Sequence, residues 1–186
     1  MTISSEKFYL KPDWRLLISH PAHFFSLGFG SGLVPKGPGT AGTLVAFPLY
    51  WLLAPWLNDY VFILFLIVAF VMGVKICDKT GRALGAEDHG GIVWDEIVAF
   101  MLVLFFTPDG VAWKIFAFIL FRFFDIVKPQ PIRYFDQNLH GGFGVMFDDI
   151  LAAGYALLCM ALVKVFCHDP LPALCCFIEC MQPGSR

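Results

Sequence analysis

Five stretches of this chain are apolar over a length that lets them enter a lipid bilayer. Gly37 to Asn58 carries no charge, and Tyr60 to Val74 is almost purely apolar up to Lys75. Ile97 to Thr107 is short unless it extends back through Asp95 and Glu96; Val111 to Phe124 is interrupted by Lys114 and Arg122, and Ile150 to Phe166 by Lys164 alone. A helix that crosses on its own needs about 20 residues, so several of these must borrow polar flanks, tilt or pack without spanning independently. Pro55 to Asp59 and Thr107 to Gly110 are minimal turns, whereas Ser31 to Thr40, Lys75 to Trp94 and Asp125 to Asp149 are longer polar connections. With the five segments in series, all three longer connections fall on one side, together with Lys7, Lys11, Arg15, Lys36, Lys75, Lys79, Arg82, Lys128 and Arg133. An excess of Lys and Arg marks the cytoplasmic face. Asp13 to Phe29 mixes apolar bulk with a break at Ser19-His20-Pro21, the pattern of a surface-lying amphipathic helix or of a helix packed over the bundle. The expected fold is all-α: an integral membrane helical bundle of about four to five apolar helices plus an N-terminal amphipathic helix. One membrane-embedded domain over 1–168 is expected to carry an irregular, Cys-rich tail over 169–186.

Composition sharpens this picture. Of the 186 residues, 58% are hydrophobic and 15% charged, against about 25% charged in an ordinary soluble domain. A soluble single-core protein and a disordered chain are both disfavoured. The net charge of −2 leaves no basic footprint, so no nucleic-acid partner is expected. No obligate protein partner is inferred either. Met1 to Lys11 is too polar for a secretory signal. Of the six cysteines, Cys77 stands alone and the others crowd the end of the chain, in no usual zinc or disulfide pattern.

Carboxylates beside long apolar runs are costly and need partners. Asp95 and Glu96 open the third apolar segment, Asp125 closes the fourth one turn after Arg122, and Asp148 and Asp149 open the fifth. In the serial arrangement all five reach the same membrane edge, where they repel strongly unless compensated. Mg²⁺ relieves such repulsion through oxygen ligands and commonly shares them with a substrate phosphate. Helix macrodipoles offer a simpler reading for acids in a first turn, and Asp125 can pair with Arg122. The doubling of acids at both helix starts goes beyond what dipoles require, because neighbouring side chains point about 100° apart.

A glycine-rich run from Gly28 to Thr43 leads into the first apolar helix and offers backbone N–H groups to an anion, without a Walker lysine. Lys36, Arg122, Lys128 and Arg133 add positive charge on that side, although Lys128 and Arg133 also suit anionic headgroups. Other phosphatase designs fail on spacing. Cys77 to Arg82 has four intervening residues where a thiol phosphatase needs five, no Asp-x-Asp-x-Thr run is present, and the histidines form no nucleophilic pair. Water activated by a bound metal remains.

Four ordered blocks then stand out: Gly28-Phe-Gly-Ser-Gly-Leu33 with Pro38-Gly-Thr40, Asp88-His-Gly-Gly-Ile-Val-Trp-Asp-Glu96, Phe121-Arg-Phe-Phe-Asp-Ile-Val-Lys-Pro-Gln-Pro-Ile132, and His140-Gly-Gly-Phe-Gly-Val-Met-Phe-Asp-Asp149. In these blocks the chain resembles the bacterial phosphatidylglycerophosphatase A family from about Trp14 to Leu158. The resemblance implies a Mg²⁺-dependent phosphatase that converts phosphatidylglycerophosphate to phosphatidylglycerol, multi-pass in the bacterial cytoplasmic (inner) membrane with its site facing the cytoplasm. By position it marks Asp95, Glu96, Asp125, Asp148 and Asp149 as catalytic acids, and Ser31, Thr40, Arg122 and Lys128 as polar groups near the substrate phosphate; Lys36 is expected to join them by its charge on the same side. Asp95, Glu96, Asp125 and Asp149 are the expected metal ligands; the division between ligand and base stays open. A Mg²⁺-dependent phosphotransferase of the CDP-alcohol type lacks its Asp-Gly-x-x-Ala-Arg core here, and a cation-coupled transporter would place its acids nearer the midplane.

Overall fold

A computed structural model describes residues 11–167, so the expected tail lies outside the described residues. The described chain is all-helical. Asp13 caps a short α1 (Trp14–Ser19) by accepting from the Leu16 N–H, and His20 caps α2 (Pro21–Ser26) by accepting from Ala22. The expected N-terminal helix is therefore two, broken where Pro21 takes a first-turn position. A 3-10 turn (Gly28–Leu33) leads to α3 (Pro38–Leu53). Then come α4 (Asp59–Leu84), α5 (Trp94–Phe106), α6 (Val111–Val127), the short α7 (Ile132–Asn138) and α8 (Gly141–Cys167).

Two helices, α4 and α8 to Phe166, are long and apolar enough to cross a membrane. Asn58 starts α4 by accepting from Val61, and Gly85 ends it in the left-handed conformation. The helix runs ten residues past the apolar stretch because Cys77, Thr80, Gly81 and Leu84 keep one buried face at helical spacing beneath the charges. α8 likewise begins well before the apolar run, so Asp148 and Asp149 lie two turns inside it and draw little from its dipole.

The short α5 is the axle of the bundle. Asp95, Ile97 to Met101, Val103 and Leu104 are buried, and α3, α4, α6 and α8 pack around it. A helix apolar on all sides belongs in such a centre. Its 13 residues rise only about 20 Å, short of a hydrocarbon core of about 30 Å. The flanking helices carry the outward apolar surface: Leu64, Ile67 and Val71 on α4, and Ile115, Ile119 and Phe123 on α6, are all exposed.

α2 is pinned to α4 by a buried polar cluster. Thr80 Oγ1 lies 2.8 Å from His23 Nδ1 and 2.6 Å from Ser26 Oγ. Burial, with His20 and Lys79 nearby, holds His23 below the ordinary histidine range, which favours a neutral ring.

α4 and α8 cross closely at Gly142, where an added Cβ would lie 1.8 Å from the Val74 carbonyl oxygen. Gly142→Ala is expected to destabilise the protein by about 1–3 kcal/mol, as overpacking does. Gly154→Ala, in open space on the same helix, is expected to stabilise it slightly, by about 0.5–1 kcal/mol. Thermal unfolding of the two variants in detergent micelles checks the contrast.

Candidate active site

Three helix ends, the interior of α8 and one strap of chain converge below the polar loops. The first turn of α5 supplies Asp95 and Glu96, the last two turns of α6 supply Arg122 and Asp125, and α8 supplies Asp148 and Asp149. Together with Pro38 and Gly39 at the start of α3, Asp88, Gly90 and Ile92 of the strap, Ile126 and Lys128, they line a cavity of about 300 Å³. Carboxylate oxygens of Asp95, Glu96 and Asp149 all lie within 4.8 Å of one another. Asp95 and Asp149 are buried, and Asp95 Oδ1, Glu96 Oε2 and Asp149 Oδ2 have no hydrogen-bond partner among the described residues.

The cationic groups are distributed unequally. Arg122 pairs with Asp125, lies 3.7 Å from Glu96 and donates to Thr43 Oγ1 at 3.4 Å, while its Nε has no partner among the described residues. Gly39 makes room for this arrangement: a Cβ there would stand 2.2 Å from Glu96 Oε1 and 3.1 Å from both terminal nitrogens of Arg122. Lys128, a left-handed cap on α6, donates to Asp136 of α7 and Asp148 of α8, each at 2.5 Å. Burial works against its ammonium charge, but Asp148 and Asp136 outweigh it and raise its pKa above the ordinary lysine value. The walls of the cleft raise the pKa of Asp88, against the pull of Lys128.

Seven of the ten residues singled out from the sequence thus meet at one cavity: Asp95, Glu96, Arg122, Asp125, Lys128, Asp148 and Asp149. Ser31, Lys36 and Thr40 do not line it. The Ser31 hydroxyl donates to Gly28 O within its own turn, Lys36 is exposed, and Thr40 follows Gly39 by about 100° of helix rotation. Neither Asp88 nor Asp136 opens or closes an apolar segment in the sequence. Asp88 opens one of the four sequence blocks and also lines two adjoining cavities of about 550 and 180 Å³. Asp136 stands among the polar residues between Asp125 and Asp149, and only the α7 turn shows that it reaches Lys128.

The family model for phosphatidylglycerophosphatase A matches residues 24–164, which include every residue of the cavity. The chain belongs to the phosphatidylglycerophosphatase A family. It is 45% identical over 148 residues to phosphatidylglycerophosphatase A of Haemophilus influenzae, covering 79% of this chain and 91% of that one. With phosphatidylglycerophosphatase A of Escherichia coli it shares 43% over 139 residues, 74% of this chain and 80% of that one. A putative phosphatidylinositol-3-phosphatase of Bacteroides thetaiotaomicron is 39% identical over 145 residues, 74% of this chain and 89% of that one. No solved structure matches the chain.

In this family member Lys128 compensates Asp148, so its loss leaves a buried carboxylate unpaired. Lys128→Met is expected to cost about 1–3 kcal/mol, and Lys128→Arg less, because a cation remains. Denaturation in detergent at neutral pH measures both.

Proposed function

We propose that this family member is a phosphatidylglycerophosphatase, removing the terminal phosphate of phosphatidylglycerophosphate to leave phosphatidylglycerol at the cytoplasmic side of the bacterial inner membrane. Family membership supports the reaction, and one observation supports the chemistry: Asp95, Glu96 and Asp149 bring carboxylate oxygens within 4.8 Å of one another, and each has an oxygen without a hydrogen-bond partner among the described residues. Oxygens of one sign, unpartnered and this close, fit a small hard cation. Asp95, Glu96 and Asp149 would hold Mg²⁺, with Asp125 on the adjoining wall. When bound, the ion supplies positive charge to the phosphoryl oxygens and acidifies a water.

The chain's own residues then divide the work. Arg122 lines the cavity, and its guanidinium is the donor for a phosphate oxygen as charge builds there. Its pairing with Asp125 and proximity to Glu96 fix its plane before substrate arrives. Lys128 is engaged by two carboxylates, so its part is to hold α6, α7 and α8 together around Asp149. Asp88, on the loop side and without an ion pair among the described residues, is the acid placed to take the proton from attacking water.

Phosphate release from phosphatidylglycerophosphate in mixed micelles tests this reading. Activity is expected to require Mg²⁺ and to vanish with chelator. Asp95→Asn, Glu96→Gln and Asp149→Asn are each expected to lower kcat by about 100-fold or more. Gly39→Ala is expected to act like Glu96→Gln, since its methyl group displaces that carboxylate. Calorimetric Mn²⁺ binding by the folded protein is expected to weaken in the same variants. Hydrolysis indifferent to chelator, or to Asp149→Asn, overturns the assignment.

A further inference from the structure

The cleft lies deeper in the bundle than the polar loops leading to it. The apolar run of α4 ends at Lys75, yet Trp94, one residue before Asp95, donates from Nε1 to Ala69 O at 3.1 Å. Met146, one turn before Asp149, packs where a Cβ on Gly73 would meet its sulfur at 2.6 Å. Both α5 and α8 run opposite to α4, so Asp95 and Asp149 stand level with apolar residues of α4. Six residues of rise place Ala69, which accepts from the Trp94 indole, about 9 Å inside Lys75.

α6 supplies a second, independent observation. Ile126 lines the cleft beside Arg122 and Asp125, yet 68% of it is exposed. Ile119 and Phe123, 57% and 53% exposed, continue the same face along the helix, because steps of three and four residues return to one side. The mouth of the cleft is thus two-sided: Asp88 and Lys128 on the loop side, Ile126 on the apolar side.

We propose that the lipid enters this cleft sideways from the bilayer past Ile126, with one hydrocarbon chain lying along Ile119, Phe123 and Ile126 while the headgroup reaches the carboxylates. The inference rests on the phosphatase reading and extends it to how the substrate is held. Entry from water would draw the chains out of hydrocarbon, which the hydrophobic effect opposes. Entry along α6 leaves them in an apolar surround throughout.

The test compares kcat/KM for dioleoyl phosphatidylglycerophosphate with that for its water-soluble deacylated headgroup. In the double variant Phe123→Asn, Ile126→Asn the ratio of the two is expected to fall about tenfold, chiefly through KM, as roughly two methylenes' worth of apolar contact is lost. Val68→Asn, on an exposed face of α4 away from the cleft, is expected to leave the ratio unchanged. A photo-crosslinking benzoylphenylalanine in place of Ile126, in phosphatidylglycerol vesicles, is expected to capture an acyl chain. An unchanged ratio in the double variant, an equal fall for both substrates, or no lipid adduct overturns the sideways route. Should the unmodified protein hydrolyse neither substrate, the phosphatase reading fails instead, and the crosslink alone decides the route.

Discussion

Three carboxyl side chains held together under an apolar surround are the constraint that organises this molecule. At 4.8 Å, with an effective dielectric constant near 20, each ionised pair among Asp95, Glu96 and Asp149 repels by about 3 kcal/mol. Nothing in the apolar packing asks for that arrangement. The fold nevertheless enforces it from three directions, through the first turn of α5, the interior of α8 and the close backbone of Gly39. The neighbouring acids are treated differently: Arg122 takes Asp125 and Lys128 takes Asp148. Charge is thus neutralised around the cluster, while Asp95, Glu96 and Asp149 each keep an oxygen without a hydrogen-bond partner among the described residues.

The shortness of α5 makes this possible. A helix of 13 residues buried on nearly every side cannot reach both surfaces of a bilayer, so one of its ends must lie within the bundle. Here that end carries the two acids, and the positive pole of the helix favours their charge. Asp149 has no such help, because it stands two turns into α8. Its burial, with Oδ2 unpartnered among the described residues, is the least compensated feature of the site.

The sequence reveals the apolar segments and their acids because bilayer-scale hydrophobicity and misplaced charge are local signals. Gly37 to Asn58 and Val111 to Phe124 contain α3 and most of α6. Helix ends are another matter. The stretch from Lys75 to Leu84 reads as a polar connection because its charges hide the buried face of Cys77, Thr80 and Leu84, and Gly141 to Phe147 is masked by glycines. The adjacent acids illustrate the same limit. A spacing of 100° says that Asp148 and Asp149 diverge, and they do, toward Lys128 and toward the cluster. The same spacing in Asp95 and Glu96 ends with both side chains in the cluster, because the α5 terminus faces α8 on one side and α3 with α6 on the other. Periodicity sets directions; only the packing decides what stands in each direction.

That packing extends to a part of the chain that looks peripheral. The strap before α5 is fastened where the Val93 N–H donates to Ser26 O at 2.9 Å, two residues from Asp95. Ser26 is itself held by Thr80 of α4, and Thr80 by His23. In an apolar bundle these buried hydrogen bonds are directional where hydrophobic contact is not, so they fix the rotation of the strap as well as its position. Helix α5 has no side-chain cap of its own; Val93 precedes it without one. The broken N-terminal helices therefore set where the central helix begins, and with it the direction in which two of the three converging carboxylates point.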